Sequence, residues 1–381
     1  MGSACSKTPI VLSDKKKATI TKFSKINDYK KKYEYICILG NGAFGKVRLY
    51  RDRLCKTMKF AIKTIKKEGL TQTMRDCILE EVSILRELDH PNIVKYYETY
   101  EDDLYIHIVM EYLQGEDLFK VITNRKHNKY TEKDASEIIK QVLKAVLFIH
   151  NKKIVHRDIK PENILFSVPG DYTSLKLIDF GLSTHHFTKK QVVGSPYYMA
   201  PEIIKGNFSF KTDNWSIGVI LFVLMTGKYP FTGEDQKSVF NKIQNENFNL
   251  KELLMSKCSK EVKNLISKFL LKDFNDRIST EEALEHAWFS LWDDENSKQE
   301  SLPILGKNII DSIKKFTHQS CFHKEVMFYI AKLSRDEEIM KLKETFIKLD
   351  ADNTGTLTYD EIFKAFDEIG LKVIRVKYFF K

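Results

Sequence analysis

Two short stretches constrain this chain more than any others: "VHRDIKPENILF" at 155–166 and "LKLIDFGLS" at 175–183. Each sets charged and amide side chains beside a brief apolar run, so the polar groups fall in loops held by rigid flanks, where a site can be built. We expect each loop to follow its strand. A third stretch, "GNGAFGKV" at 40–47, carries glycines 40, 42 and 45 between the alternating "YEYICILG" and the apolar "KFAIKTI". Such a hairpin lets backbone amides approach phosphate without side-chain collision. Glycines in this spacing also occur in dinucleotide-binding folds, but there a helix follows them. Here a strand does.

Lys63 stands on the second of these strands as a point charge that could hold inner phosphates, and a buried lysine needs a partner. The helical stretch "DCILEEVSILREL", whose Ile78, Val82 and Leu85 share a face, offers Glu81, with Glu80 as the neighbouring alternative.

In order and spacing, Gly40 to Gly45, Lys63, Glu81, "HRDIKPEN", "DFG" and "APE" (200–202) resemble the eukaryotic protein-kinase motif set. The resemblance covers residues 34–289 and implies an α+β, two-lobed kinase fold. It implies that Gly40, Asn41, Gly42, Ala43, Phe44, Gly45, Lys46 and Val47 cover the phosphates of ATP. Ala61, Met110, Glu111, Leu113 and Asp117 would meet the rest of the nucleotide, with "IVMEYL" as the hinge and Met110 at the back of the pocket. Asp158 would accept the substrate hydroxyl proton, Lys160 would sit by the transferring phosphate, and Asn163 and Asp179 would hold magnesium. Arg157 would tie the catalytic loop to the activation segment, where Thr188 is a phosphorylatable residue, and Arg277 would pair with Glu202. Lys160 and the Ser195 hydroxyl in "GSPYYMAPE" resemble the serine/threonine branch. By similarity to basophilic kinases, Glu162 and Asp117 would draw Arg or Lys of the substrate; Asp117 could equally meet the ribose.

Composition narrows the setting. Six cysteines are scattered without a Cys-x-x-Cys pair, so neither a disulfide framework nor a zinc site is indicated. The most apolar run, "WSIGVILFVLM" at 215–225, is too short to span a bilayer. Much of the +10 formal charge comes from residues 1–33, where nine lysines face two aspartates. We expect a basic, disordered arm. Its opening "MGSACS" offers Gly2 for myristoylation and Cys5 for palmitoylation. One acyl chain binds a membrane only marginally, so a second chain or the lysines would have to complete attachment. The expected location is the cytoplasm, peripherally on the inner face of a membrane. No aromatic or arginine pattern interleaves the lysines, so nucleic acid is not an expected partner.

Beyond the kinase-like region, residues 290–335 read as a linker followed by junction helices (Ile309, Ile310, Ile313 and Phe316; then Val326, Met327, Ile330 and Leu333). Residues 336–381 hold "DADNTGTLTYDE" at 350–361, flanked by helical stretches. Asp350, Asp352, Thr354, Thr356, Thr358 and Glu361, with Gly355 at the sixth place, have the order of an EF-hand calcium loop. Kinase, junction and calcium loop in series, opened by "MGSACS", resemble the calcium-dependent protein kinases of plants and protists. That resemblance implies a junction that blocks the substrate groove until calcium rearranges the hands. The family typically carries four hands, whereas one is read here. We therefore expect a truncated chain, or pairing of this hand with another copy or with the kinase region. The cofactors expected are ATP, Mg2+ and Ca2+, and the partners are protein substrates and a membrane surface. The rival readings are a calcium-binding adaptor with an inactive kinase domain and a kinase switched in trans by calmodulin.

Overall fold

A computed structural model describes residues 24–25, 29–42, 45–124, 131–185, 194–246, 248 and 258–292. The chain divides into two units, one formed by residues up to 69 together with 98–109, the other by 70–97 together with 110 onward. Gly2, Cys5, Ala43, Phe44, Thr188, nearly all of the junction and the whole EF-hand, including Asp350, Asp352, Thr354, Thr356 and Glu361, lie outside the described residues.

The first unit is a six-stranded sheet. Its strands are β1 (Ser24–Lys25), β2 (Tyr33–Gly42), β3 (Gly45–Asp52), β4 (Lys59–Lys66), β5 (Tyr96–Glu101) and β6 (Tyr105–Glu111), in the order β1-β5-β6-β4-β3-β2. Strands β2, β3 and β4 run antiparallel, so strand does follow the glycines. β4 lies inside the sheet and buries every residue from Phe60 to Ile65, which explains why its sequence reads as a nearly unbroken apolar run. The described residues include 24–25 and 29–33, which fall within the arm expected to be disordered. Residues Tyr29–Lys32 make one helical turn, α1, whose Tyr29 is buried. The Tyr29 ring stacks on His107 at 4.4 Å, with Tyr33, Tyr50 and Tyr100 around it. Burying these aromatic groups offsets the solvated character of the lysine run.

The second unit is mainly helical: α2 (Gln72–Glu87), α3 (Leu118–Asn124), α4 (Glu132–Asn151), α5 (Pro201–Ile204), α6 (Lys211–Thr226), α7 (Gln236–Asn245), α8 (Lys260–Phe269), α9 (Thr280–Leu284) and α10 (Ala287–Ser290). A short hairpin, β7 (Ile164–Phe166) with β8 (Leu175–Leu177), completes it. The helix starts are written in the sequence: Thr131 and Asp134 cap α4 reciprocally, and Asp235, Ser259 and Ser279 cap α7, α8 and α9. Helix α6 is buried from Thr212 to Thr226. The apolar run at 215–225 is thus the pillar of this unit; no described helix is long and apolar enough to cross a membrane. At Gly218 a Cβ would lie 2.5 Å from Phe269, so the absent side chain lets α6 and α8 close.

One expectation about strands needs correcting. β8 precedes the "DFG" loop, but β7 follows "HRDIKPEN" instead of leading into it. Upstream, Val155 makes a single antiparallel bridge, to Thr184. The next two amides, of His156 and Arg157, are taken by the Asp213 carboxylate, so no strand ladder can continue.

Candidate active site

Three described non-glycine residues adopt left-handed backbone: Lys153, Arg157 (φ 66°) and Asp179 (φ 60°). Such conformations cost free energy and persist only where surroundings enforce them. At Arg157 the enforcing group is Asp213, near the start of α6. Its carboxylate accepts the backbone N–H of His156 and of Arg157, each at 2.9 Å, and Nε2 of His150 at 2.9 Å. Burial would raise the Asp213 pKa, but the His150 bond and the backbone N–H of His156 outweigh it and leave the carboxyl below its usual range. Arg157 Nε then donates to Leu182 O at 2.7 Å, tying this loop to the segment after "DFG".

His156 links the two polar loops. Its Nε2 lies 3.3 Å from Ile178 O. A carbonyl only accepts, so the proton of the ring belongs on Nε2. Nδ1 then accepts the Asp158 amide, also at 3.3 Å. Burial lowers the His156 pKa against the pull of Asp213, Asp158 and Asp179. Phe180 packs edge-on against the ring at 4.9 Å.

On this platform the side chains converge on Asp158. Lys160 Nζ lies 2.7 Å from Oδ2 and donates to Ser195 Oγ at 2.9 Å. Ser195 gives both its amide and its hydroxyl to Oδ1, each at 3.1 Å. Asn163 Nδ2 donates to the Asp158 carbonyl at 2.9 Å and to Oδ2 at 3.1 Å. The amide nitrogen is thereby occupied, leaving Oδ1 as the end that can meet a cation. Gly194 feeds Ser195 into place at φ 109°, where a Cβ would meet the Arg157 carbonyl at 2.7 Å. Asp158, Lys160, Asn163 and Ser195 thus form one hydrogen-bonded cluster. Asp179 stands two residues past the end of β8, with Gly181 N 3.4 Å from its Oδ1.

Other expected site residues serve the fold as well. Asp117 accepts Lys120 N at 2.8 Å, and its second oxygen pairs with Lys120 Nζ at 3.2 Å. It thereby caps the start of α3. Glu111 accepts Lys95 N and pairs with buried Lys176 at 2.8 Å, so its side chain braces the end of β6. Leu113 is buried, Met110 half-buried and Glu162 exposed. In the first unit Lys63 is buried on β4, opposite Val47 of β3, and Ala61 is buried two residues earlier. Gly45 sits where a Cβ would meet Thr64 O at 2.1 Å; Gly40 and Gly42 pair with Val47 and Gly45, and Asn41 with Lys46. Glu81 is buried on α2, whereas its neighbour Glu80 accepts the Thr184 hydroxyl at 2.5 Å. Lys63 and Glu81 belong to different units.

Away from this cluster, Arg277 and Glu202 form a two-pronged pair at 2.6 and 2.9 Å, with Arg277 wholly buried over the Trp215 ring. Further N–H groups of the guanidinium go to the carbonyls of Leu271 and Lys211. Sequence reasoning missed Asp213 and His150 as supports. The available signal was an acid in the first turn of the most apolar helix of the chain.

Residues 33–289 match the protein kinase domain, and the chain belongs to the protein kinase family. Curated relatives that it resembles are named calcium-dependent protein kinases. It is 36% identical over 347 residues to calcium-dependent protein kinase 4 of Plasmodium berghei (strain Anka), covering 90% of this chain and 65% of that one. It is 35% identical to the protein of that name from Plasmodium falciparum (isolate 3D7), with the same coverage. To calcium-dependent protein kinase 3 of Plasmodium berghei it is 33% identical, over 88% of this chain and 60% of that one. The chain therefore spans a little under two thirds of the length of these relatives.

Proposed function

We propose that this chain is a serine/threonine protein kinase that moves the terminal phosphoryl group of ATP to hydroxyls of proteins, under calcium control. The observation that carries the reading is the convergence of Lys160, Asn163 and Ser195 on Asp158. Phosphoryl transfer asks little covalent work of a protein; it asks for alignment and for charge placed where charge develops.

Asp158 Oδ1 already accepts one hydroxyl, that of Ser195. A substrate hydroxyl reaching the same carboxylate is oriented by it and passes it the proton as the new O–P bond forms and the bond to the ADP oxygen breaks. The Lys160 ammonium beside it offsets negative charge on the group in transit. The Asn163 Oδ1 and the Asp179 carboxylate are hard oxygen ligands, the kind magnesium takes together with phosphate oxygens. Magnesium, when bound, screens the phosphates. Lys63 and the glycine hairpin would hold the phosphate chain.

The names of the relatives and the 350–361 loop support calcium control, with Asp350, Asp352, Thr354, Thr356 and Glu361 as ligands. Gly2 and Cys5 would be acylated, giving peripheral attachment to a membrane together with the lysines of the arm.

The test is phosphate transfer to a serine peptide by the full chain with magnesium-ATP, in calcium and in chelator. Asp158→Asn should lower turnover by roughly 10²–10⁴-fold while nucleotide still binds. Absence of transfer by the unaltered chain would leave a calcium-binding adaptor, and activation only on adding calmodulin would mean control in trans. Equal rates in calcium and chelator would remove calcium control alone. Glu361→Gln should abolish any calcium response.

A further inference from the structure

The hairpin between β3 and β4 ends in a built turn. The amides of Leu54 and Cys55 both donate to Oδ1 of buried Asp52, at 2.8 and 2.9 Å, and Met58 N donates to the Cys55 carbonyl at 2.9 Å. At its tip Leu54 is 97% exposed. A lone exposed leucine is ordinary, but this one stands among cations. Helix α1, anchored by buried Tyr29, lies against the turn, since Arg53 gives its amide to Lys32 O at 2.8 Å and its Nε to Lys30 O at 3.1 Å. Lys59 faces Arg51 across the hairpin. Lys30, Lys31, Arg53, Lys56 and Lys59 are all exposed.

Three described carboxylates border this patch, and each is engaged. Asp52 holds the turn, Glu34 pairs with Arg51 at 2.8 Å, and Glu98 pairs with Lys32 at 2.7 Å. The Arg51 hydrogen bond and the charges of Arg51, Arg53 and Lys56 hold the Glu34 carboxyl below its ordinary value, so these cations gather at one place. The other end of the eight-residue β4, roughly 20 Å away, has the opposite character. There Lys67 N meets Leu104 O, the turn carries Glu101, Asp102 and Asp103, and Lys66 and Lys67 are both paired with carboxylates. The sheet is thus basic at one end and acidic at the other, which orients it before a negative surface. Strand β2 starts at the basic end, where Tyr33 pairs with Asp52, and finishes at the glycine turn, where Gly42 pairs with Gly45. The patch is therefore remote from the phosphate-covering glycines.

We propose that the 52–58 turn, together with α1, docks on an anionic lipid surface, with Leu54 entering the headgroup layer and the surrounding cations meeting lipid charge. This rests on the membrane reading above but not on its acyl chains. A single projecting leucine suits a fluid interface, whereas a protein partner brings together several apolar side chains over a broad patch. Nucleic acid would use the cations and leave Leu54 idle.

The test is co-sedimentation of the full chain, carrying Gly2→Ala and Cys5→Ser so that neither residue is acylated, with phosphatidylcholine vesicles that contain or lack phosphatidylserine. Binding should require phosphatidylserine. Lys56→Ala and Lys59→Ala should each weaken it about fivefold, the share of one cation near such a surface, and Leu54→Ser at least as much. Each variant should keep the parent's thermal midpoint. Leu54→Trp should gain a blue-shifted emission that brominated lipid quenches, above the signal of the parent; Leu104→Trp, at the acidic end, should not. Binding unchanged in Leu54→Ser and Lys56→Ala, or a bound Leu54→Trp variant without quenching, overturns the docking surface and leaves the contact to the lysines before residue 29. Failure to bind phosphatidylserine vesicles, or equal binding to neutral ones, overturns it as well. Acylation is read separately, from the intact mass of the native chain, so either proposal can fail alone.

Discussion

The Asp213 carboxylate holds the amide of Arg157 at 2.9 Å, and Arg157 is one of three described non-glycine residues with positive φ. A buried acid on the central helix thus sets the backbone conformation of the loop that carries Asp158. Each oxygen accepts from a backbone N–H, and Oδ2 takes His150 as well.

Asp213→Asn tests this coupling. The amide turns one accepting oxygen into a donor that faces an N–H, leaving buried donors opposed. We expect a loss of roughly 2–4 kcal/mol in stability, measured by chemical denaturation. Phosphate transfer should fall at least tenfold at temperatures where the variant is still folded. Normal transfer by a folded variant would show that the loop keeps its shape without this acid.

Gly194→Ala should damage the same region from the other side. Its φ of 109° is foreign to alanine, and the new Cβ would press on the Arg157 carbonyl. A cost of about 1–3 kcal/mol is expected, with the larger effect on turnover, because the strain moves Ser195 away from Asp158. Gly170→Ala is the control: its φ is also positive, at 79°, but a Cβ there would meet nothing within 4 Å. It should cost stability without touching turnover.

Removing one partner of the Arg277–Glu202 pair should be costly because the other charge stays buried. Glu202→Ala is expected to destabilise by about 3–5 kcal/mol, seen as a large drop in the thermal midpoint. Replacing Arg277 and Glu202 together with apolar residues should cost less than the sum of the single changes, since neither charge is then stranded.

Burial lowers the pKa of His107, in the aromatic cluster of the sheet, despite the opposing Asp102 carboxylate. His156 is lowered for the same reason. Folding thus disfavours the protonated form of each relative to the unfolded chain, where the ordinary value is 6.5. The unfolded state then binds more protons, so stability declines as pH drops below about 6.5. Denaturation midpoints should therefore fall between pH 7.5 and pH 5.5, and His107→Gln should flatten part of that slope. A midpoint that rises on acidification would contradict the assignment.

The class of fold was legible because its signals are local. Alternation and glycine spacing specified β2, β4 and the glycine turn, though not β3 as a strand of its own, and the order of "HRDIKPEN", "DFG" and "APE" named the residues that gather at Asp158. Glu81 fell on the buried face of α2 because residues three and four apart share a side of a helix. The arm was read too simply: a run of lysines outweighed Tyr29, whose burial depends on His107 and Tyr100, two rings remote from it in the sequence.

By itself, then, the sequence determined the class of chemistry and most of the participating side chains, since spacing along strands and loops is a one-dimensional property. Only the tertiary structure decided what holds them. Asp213 reaches a loop 56 residues earlier, Ser195 comes back onto Asp158 across 37 residues, and Tyr229 stacks on Tyr197 from the far end of α6. Those contacts follow from how α6 packs, with its buried charge satisfied by whichever amides the fold brings to it. No pattern of neighbouring residues encodes such a meeting.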